Sequence, residues 1–78
     1  MDNDFWEIKS PKSDKARVVE KTLRSALHQA HCVIFDARRM KRLPNVVIEN
    51  EVRKWGAELR SLKRLIYINR SGEVIVIK

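Results

Sequence analysis

The chain has 78 residues, with 17 Lys and Arg against 10 Asp and Glu, for a formal charge of +7. That length excludes a second domain, so residues 1–78 are expected to form one small domain, and an apolar share of 44% excludes a disordered chain. The longest apolar runs, four residues each, fall far below the roughly 18 needed to cross a bilayer, so no membrane insertion is expected.

Charges interrupt the first 20 residues throughout, unlike the apolar stretch of a secretory leader. Cys32 is the single cysteine, which excludes an internal disulfide and any multi-cysteine zinc site and fits a reducing compartment. The domain must stand on a thin core, with a margin of ~3–5 kcal/mol. So large a positive charge on so small a body favours a polyanion, either a nucleic acid or an acidic protein.

In chain order, Phe5 to Lys9 alternates as a strand does, with Trp6 and Ile8 on one face and Phe5, Glu7 and Lys9 on the other. Ser13 is the expected N-cap of a first helix, with Asp14 at its positive end. Ala16, Val19, Leu23, Ala26, Leu27 and Ala30 share one face of that helix; Arg17, Glu20, Lys21, Arg24 and His28 share the other. Cys32-Val33-Ile34-Phe35 reads as a strand covered on both faces, with Asp36 at its carboxyl end. Pro44 and Asn45 mark a turn. Ile48, Val52, Trp55, Leu59 and Leu62, spaced 4, 3, 4 and 3, form the stripe of a second helix. Its start is open between Asn45 and Asn50, because Val46-Val47-Ile48 is β-branched. Gly56 costs about 1 kcal/mol of helix propensity and is expected where packing is close. Leu65–Ile68 and Val74–Ile77, joined through Asn69-Arg70-Ser71-Gly72, read as a β-hairpin with Gly72 at a positive φ.

The expected order is therefore β-α-β-α-β-β, an α/β (α+β) fold. It combines a small mixed four-stranded sheet, two packed helices and the C-terminal hairpin. Both helices are expected on the sheet, the rest of which is left for a partner or a further segment.

Several residues offer chemistry. Glu7 and Lys9 form an acid-x-lysine pair on one strand face. Metal-dependent nucleases use such a pair to hold a divalent ion and steady a phosphate. A solvated strand face is the commoner origin of the pattern. Asp36 sits where open α/β sheets collect ligands, at the carboxyl end of a strand; it equally suits pairing with Arg38 or Arg39. Arg38, Arg39, Lys41 and Arg42 form the densest basic cluster, and residues 36–64 carry nine basic against four acidic side chains, a local +5. Arginine forks suit phosphate oxygens. His28, His31 and Cys32 match no standard zinc spacing. His28 or His31 as general base of a metal-free ribonuclease is a better use than metal binding; two histidines favoured near a helix end by its dipole are the commoner origin of such a pattern. Trp6 and Trp55 read as core or rim aromatics.

Taken together, these segments resemble a family. Phe5-Trp6-Glu7-Ile8-Lys9-Ser10-Pro11 is similar to the "WEIKSP" opening of C-terminal tRNase domains of CdiA-type contact-dependent growth inhibition toxins. The likeness continues through Gln29-Ala30, Val33-Ile34-Phe35-Asp36-Ala37-Arg38-Arg39, Leu43-Pro44, Lys63-Arg64-Leu65-Ile66 and the Gly72 hairpin. It covers nearly the whole chain. It implies a nuclease that cuts RNA, with tRNA first among substrates. It also implies delivery from another cell as part of a larger toxin, action in the cytoplasm, and a cognate immunity protein as partner.

Carried over position by position, Glu7, Lys9, Ser10, Gln29, Asp36, Arg38 and Arg39 match the motif. The resemblance implies Glu7, Lys9, Ser10, Asp36 and Arg38 as catalytic residues. The basic set expected on nucleic acid is Arg38, Arg39, Lys41, Arg42, Lys63 and Arg64. The chain departs from the family pattern twice. The family carries a further acid on a strand ahead of this segment, a strand this chain is expected to lack, with Asp2 and Asp4 its only upstream acids. It also reads Asp-Asn where this chain has His31-Cys32.

Two mechanisms follow. In one, Glu7 and Asp36 hold a divalent metal (Mg or Zn) with Lys9 assisting, as in PD-(D/E)XK nucleases. In the other, without metal, Lys9, a histidine and an arginine activate the 2′-hydroxyl and stabilise the pentacoordinate phosphate. The alternative is a non-catalytic basic module that binds nucleic acid or an acidic protein. Convergence of Glu7, Lys9 and Asp36 favours the enzyme; divergence favours the module.

Overall fold

The computed structural model describes residues 5–78; Asp2 and Asp4 lie outside them. The elements are β1 (Trp6–Lys9), α1 (Val18–Ala26), β2 (Cys32–Asp36), α2 (Asn45–Glu58), β3 (Arg64–Ile68) and β4 (Val74–Val76). They form one four-stranded sheet in the order β1-β2-β3-β4. The first two pairings are parallel and the last is antiparallel. The architecture read from the sequence is the one observed.

Right-handed crossovers that step in one direction lay their helices on the same side of a sheet. Both helices accordingly share one core with Val33, Phe35, Leu65 and Tyr67. From α1 come Val19, Leu23 and Ala26, and from α2 Ile48 and Val52, all fully buried. Leu59 and Leu62, which continue the α2 stripe, lie past its end and are buried too.

Two local readings change and one open point is decided. Helix α1 begins at Val18, not after Ser13. The Ser13 hydroxyl accepts the Lys15 amide instead (3.1 Å), and Val18 and Val19 donate three residues back, so tight turns occupy 15–17. Helix α2 begins at Asn45 rather than Asn50, because Pro44 holds φ −60° and ψ 145° and its carbonyl accepts Val47 and Ile48.

The second change concerns β2: Val33 and Phe35 are fully buried under the helices, while on the other face only the strand ends, Cys32 and Asp36, are buried. Ile34 is partly exposed, and across the strands it stands in register with Ile8, Ile66 and Val76. Ile8 and Val76 are 64% and 70% exposed, so the helix-free face of the sheet is an open apolar surface.

Gly56 is where the close approach was expected: a Cβ there would lie 2.9 Å from Leu65 Cδ2. Gly72 has φ +84° in the hairpin. Asn69 organises that loop, its Oδ1 accepting the Ser71 and Glu73 amides at 3.0 Å. Among the described residues no helix is long and apolar enough to cross a membrane.

Candidate functional site

Side chains alternate along a strand, and paired residues of neighbouring strands share a face. Glu7 is in register with Val33, and Lys9 with Phe35. Both therefore stand on the helix-bearing side of β1, at the sheet edge. Their side chains are each 29% exposed, and Lys9 Nζ lies 3.3 Å from Glu7 Oε2. Lys9 and Ser10 also line a cavity of about 360 Å³ with Pro11 and, from α1, Lys21, Thr22 and Ser25.

Asp36 has the parity of Cys32 and Ile34, the opposite face. Its carboxylate is closed by Arg38. Nε donates to Oδ1 (3.0 Å), Nη2 to Oδ2 (2.7 Å), and the Arg38 amide to Oδ1 (3.0 Å). These hydrogen bonds hold the Asp36 carboxyl below its usual pKa against the opposing effect of burial. The same contacts raise Arg38.

The loops after β1, β2 and β3 meet at the carboxyl end of the parallel strands. Arg39 Nη1 donates to the Ser10 carbonyl (3.0 Å), Ala37 N to the Ile68 carbonyl (2.8 Å), and Arg70 Nη1 to the Lys41 carbonyl. Ala37 and Met40 are fully buried, while Arg38, Arg39, Lys41 and Arg42 are exposed. Two apolar anchors thus hold a four-cation loop on the surface. Lys12, Ser13 and Asp14 face Arg39, Lys41 and Arg42 across a second cavity of about 490 Å³.

A model of the contact-dependent growth inhibition CdiA C-terminal domain matches residues 1–74. The chain belongs to this family. It is a toxin domain of the CdiA type, a class that forms part of a larger delivered toxin. No curated protein and no solved structure matches the chain.

Against the CdiA motif, the structure brings together Glu7 and Lys9 on β1 with Ser10 just past its end, and separately Asp36 with Arg38. Glu7 and Asp36 do not fit as shared ligands of a divalent cation. They belong to opposite faces of the sheet, and Arg38 occupies both oxygens of Asp36. Among the described residues no three His, Cys, Asp or Glu side chains converge.

His28, Gln29 and His31 lie between α1 and β2, at the amino end of the parallel strands, where His31 Nδ1 meets the Ser61 carbonyl (3.0 Å). Lys9 is level with Phe35, four residues further along β2, about 13 Å away at the strand rise. Lys63 and Arg64 share the amino end with His31, whose carbonyl accepts the Lys63 amide. The basic set therefore divides between the two ends of the sheet.

Sequence reasoning passed over Lys12, Arg70 and the anchoring role of Met40. A lysine one residue past Pro11 carries no periodic signal. Trp55 is a rim aromatic, with Lys54 Nζ 4.9 Å and Arg24 Cζ 5.6 Å from its ring centroid.

Proposed function

We propose that this CdiA-type domain is a ribonuclease toxin, acting on tRNA in the cytoplasm of a target cell, with Glu7 and Lys9 at its centre. The observation that carries the reading is the half-buried Glu7–Lys9 pair at 3.3 Å, on an edge strand beside a cavity that also holds Lys21 and Ser25. A carboxylate beside ammonium groups suits cleavage that uses the substrate's own 2′-hydroxyl. Glu7 takes the 2′-proton and the 2′-oxygen bonds to the adjacent phosphorus. The bond to the 5′-oxygen breaks, and that oxygen takes a proton from solvent, leaving a 2′,3′-cyclic phosphate and a 5′-hydroxyl. Lys9 offsets the charge on the non-bridging oxygens. In this reading Asp36 and Arg38 position the loop that carries the cations. An immunity protein would be the partner that silences the site.

The test is incubation of the purified protein with total tRNA in Mg²⁺ and in EDTA, beside Glu7→Gln and Lys9→Met. Discrete fragments with cyclic-phosphate ends, indifferent to EDTA and absent with both variants, are expected. Cleavage abolished by EDTA would overturn the metal-free route.

A second reading is favoured by the placement of Asp36 away from Glu7 and Lys9: a non-catalytic basic module. Intact tRNA under every condition, with salt-sensitive retention in a gel, would establish it.

A further inference from the structure

We propose that the cavity between the loops after β1 and β2 is a discrete phosphate subsite for the RNA backbone, distinct from the Glu7–Lys9 pair, and that Asp14 occupies it as a built-in competitor. The proposal rests on the ribonuclease reading for its ligand.

Three observations carry it. The cavity, about 490 Å³, is lined by four cations, Lys12, Arg39, Lys41 and Arg42, against one carboxylate, Asp14. Its two walls are pinned to each other, since Arg39 donates to the Ser10 carbonyl at 3.0 Å and Met40 is buried beneath the second loop. The cations therefore stand on a prepared frame, not on loose tails. Finally, Arg42 Nη1 lies 4.0 Å from Asp14 Oδ2, with both side chains more than half exposed. A pair that long and that solvated is readily exchanged for a phosphate, which the guanidinium fork can take through two parallel hydrogen bonds that the 4.0 Å contact with Asp14 does not make.

The roles divide accordingly. Arg39 is spent on the backbone of the β1 loop and is a positioning residue. Lys12, Lys41 and Arg42, the last held only by its long pair with Asp14 among the described residues, are the groups that take a phosphate. Lys12 follows Lys9 by three residues, so their Cα atoms are at most about 11 Å apart. One RNA strand can thus lay a phosphate in the cavity while a neighbouring phosphate reaches Lys9.

The experiment is fluorescence anisotropy with a labelled 2′-O-methyl RNA 12-mer, which lacks the attacking hydroxyl, in EDTA and across a salt series. Lys12→Gln, Arg42→Gln and Asp14→Asn are compared with Arg60→Gln, an equal loss of charge at an exposed position outside the cavity. Circular dichroism confirms that each variant is folded. Lys12→Gln and Arg42→Gln are expected to weaken binding by roughly fivefold each. Each should also lower the slope of log K against log salt by about 0.7, the single-strand increment for one phosphate contact. Asp14→Asn is expected to tighten binding a few-fold, and Arg60→Gln to change little.

Equal effects of Arg60→Gln and the cavity variants, or no gain from Asp14→Asn, would overturn the subsite. If the cavity variants behave as expected but the wild-type protein leaves tRNA intact, the subsite stands and the nuclease reading falls. If tRNA is cleaved but the cavity variants bind as wild type does, the reverse holds.

Discussion

Arg38 closes on Asp36 two residues away through its guanidinium and its own amide, and the turn that carries the basic loop off β2 hangs on that clamp. The contact is local, yet it consumes the carboxylate that strand-end logic marks as a ligand. It leaves the cations beyond it oriented outward.

Asp36→Asn tests the clamp. The folded-state pKa of Asp36 lies below its ordinary 3.8. Its stabilising contribution is therefore complete above pH 3.8 and is lost as pH falls through the lower folded value. The variant should melt a few degrees below wild type at pH 7. The two melting curves should merge in strong acid, as thermal melts across a pH series would show.

Glu7→Gln and Lys9→Met separate chemistry from stability. Both side chains are half-buried on an edge strand, and an ion pair so placed contributes little, about 0–1 kcal/mol. Melting temperatures should stay within a few degrees of wild type, while tRNA cleavage falls by about 100-fold or more, the usual contribution of a general base. A loss of activity that merely tracks a loss of fold would sink the catalytic assignment.

Gly56→Ala sets helix propensity against packing. Alanine is better by about 1 kcal/mol in a helix, but its Cβ would stand 2.9 Å from Leu65 Cδ2 in a fully buried layer. A net loss of about 1 kcal/mol in urea unfolding is expected. Leu65→Val in the same chain should recover part of it, a non-additivity that identifies the contact.

Tyr67 is fully buried, and its hydroxyl has no hydrogen-bond partner among the described residues. Burial, with Glu49 nearby, raises its pKa above 10, so the folded state holds that proton longer than the unfolded chain does. Stability should fall as pH rises past 10. Tyr67→Phe should be neutral or stabilising by up to about 1 kcal/mol at pH 7, and should move the alkaline transition upward. Marked destabilisation at neutral pH would mean that the hydroxyl is satisfied in solution.

The elements themselves were legible because each leaves a local mark. The 4-3-4-3 stripe from Ile48 to Leu62, the apolar run at Cys32–Phe35 and the Asn69–Gly72 turn are patterns of period, composition and φ preference that need no partner to be seen. The start of α1 was not legible. The Ser13 hydroxyl has two local uses, as helix cap or as acceptor for Lys15, and packing of Val19 and Leu23 chose between them.

By itself, then, the sequence determined the charge, the order of strands and helices, the family to which the chain belongs, and the pairing of Glu7 with Lys9, which is set by strand period alone. Tertiary structure decided the rest. Placing both helices on one face bared Ile8, Ile34, Ile66 and Val76 on the other. Register then put Asp36 on the face away from Glu7. Loop docking brought Lys12 and Asp14, 25 or more residues before Arg39 and Arg42, to the same cavity. The reason is physical: period and propensity are local, whereas which face a crossover covers and which loops meet depend on strand pairing between distant segments.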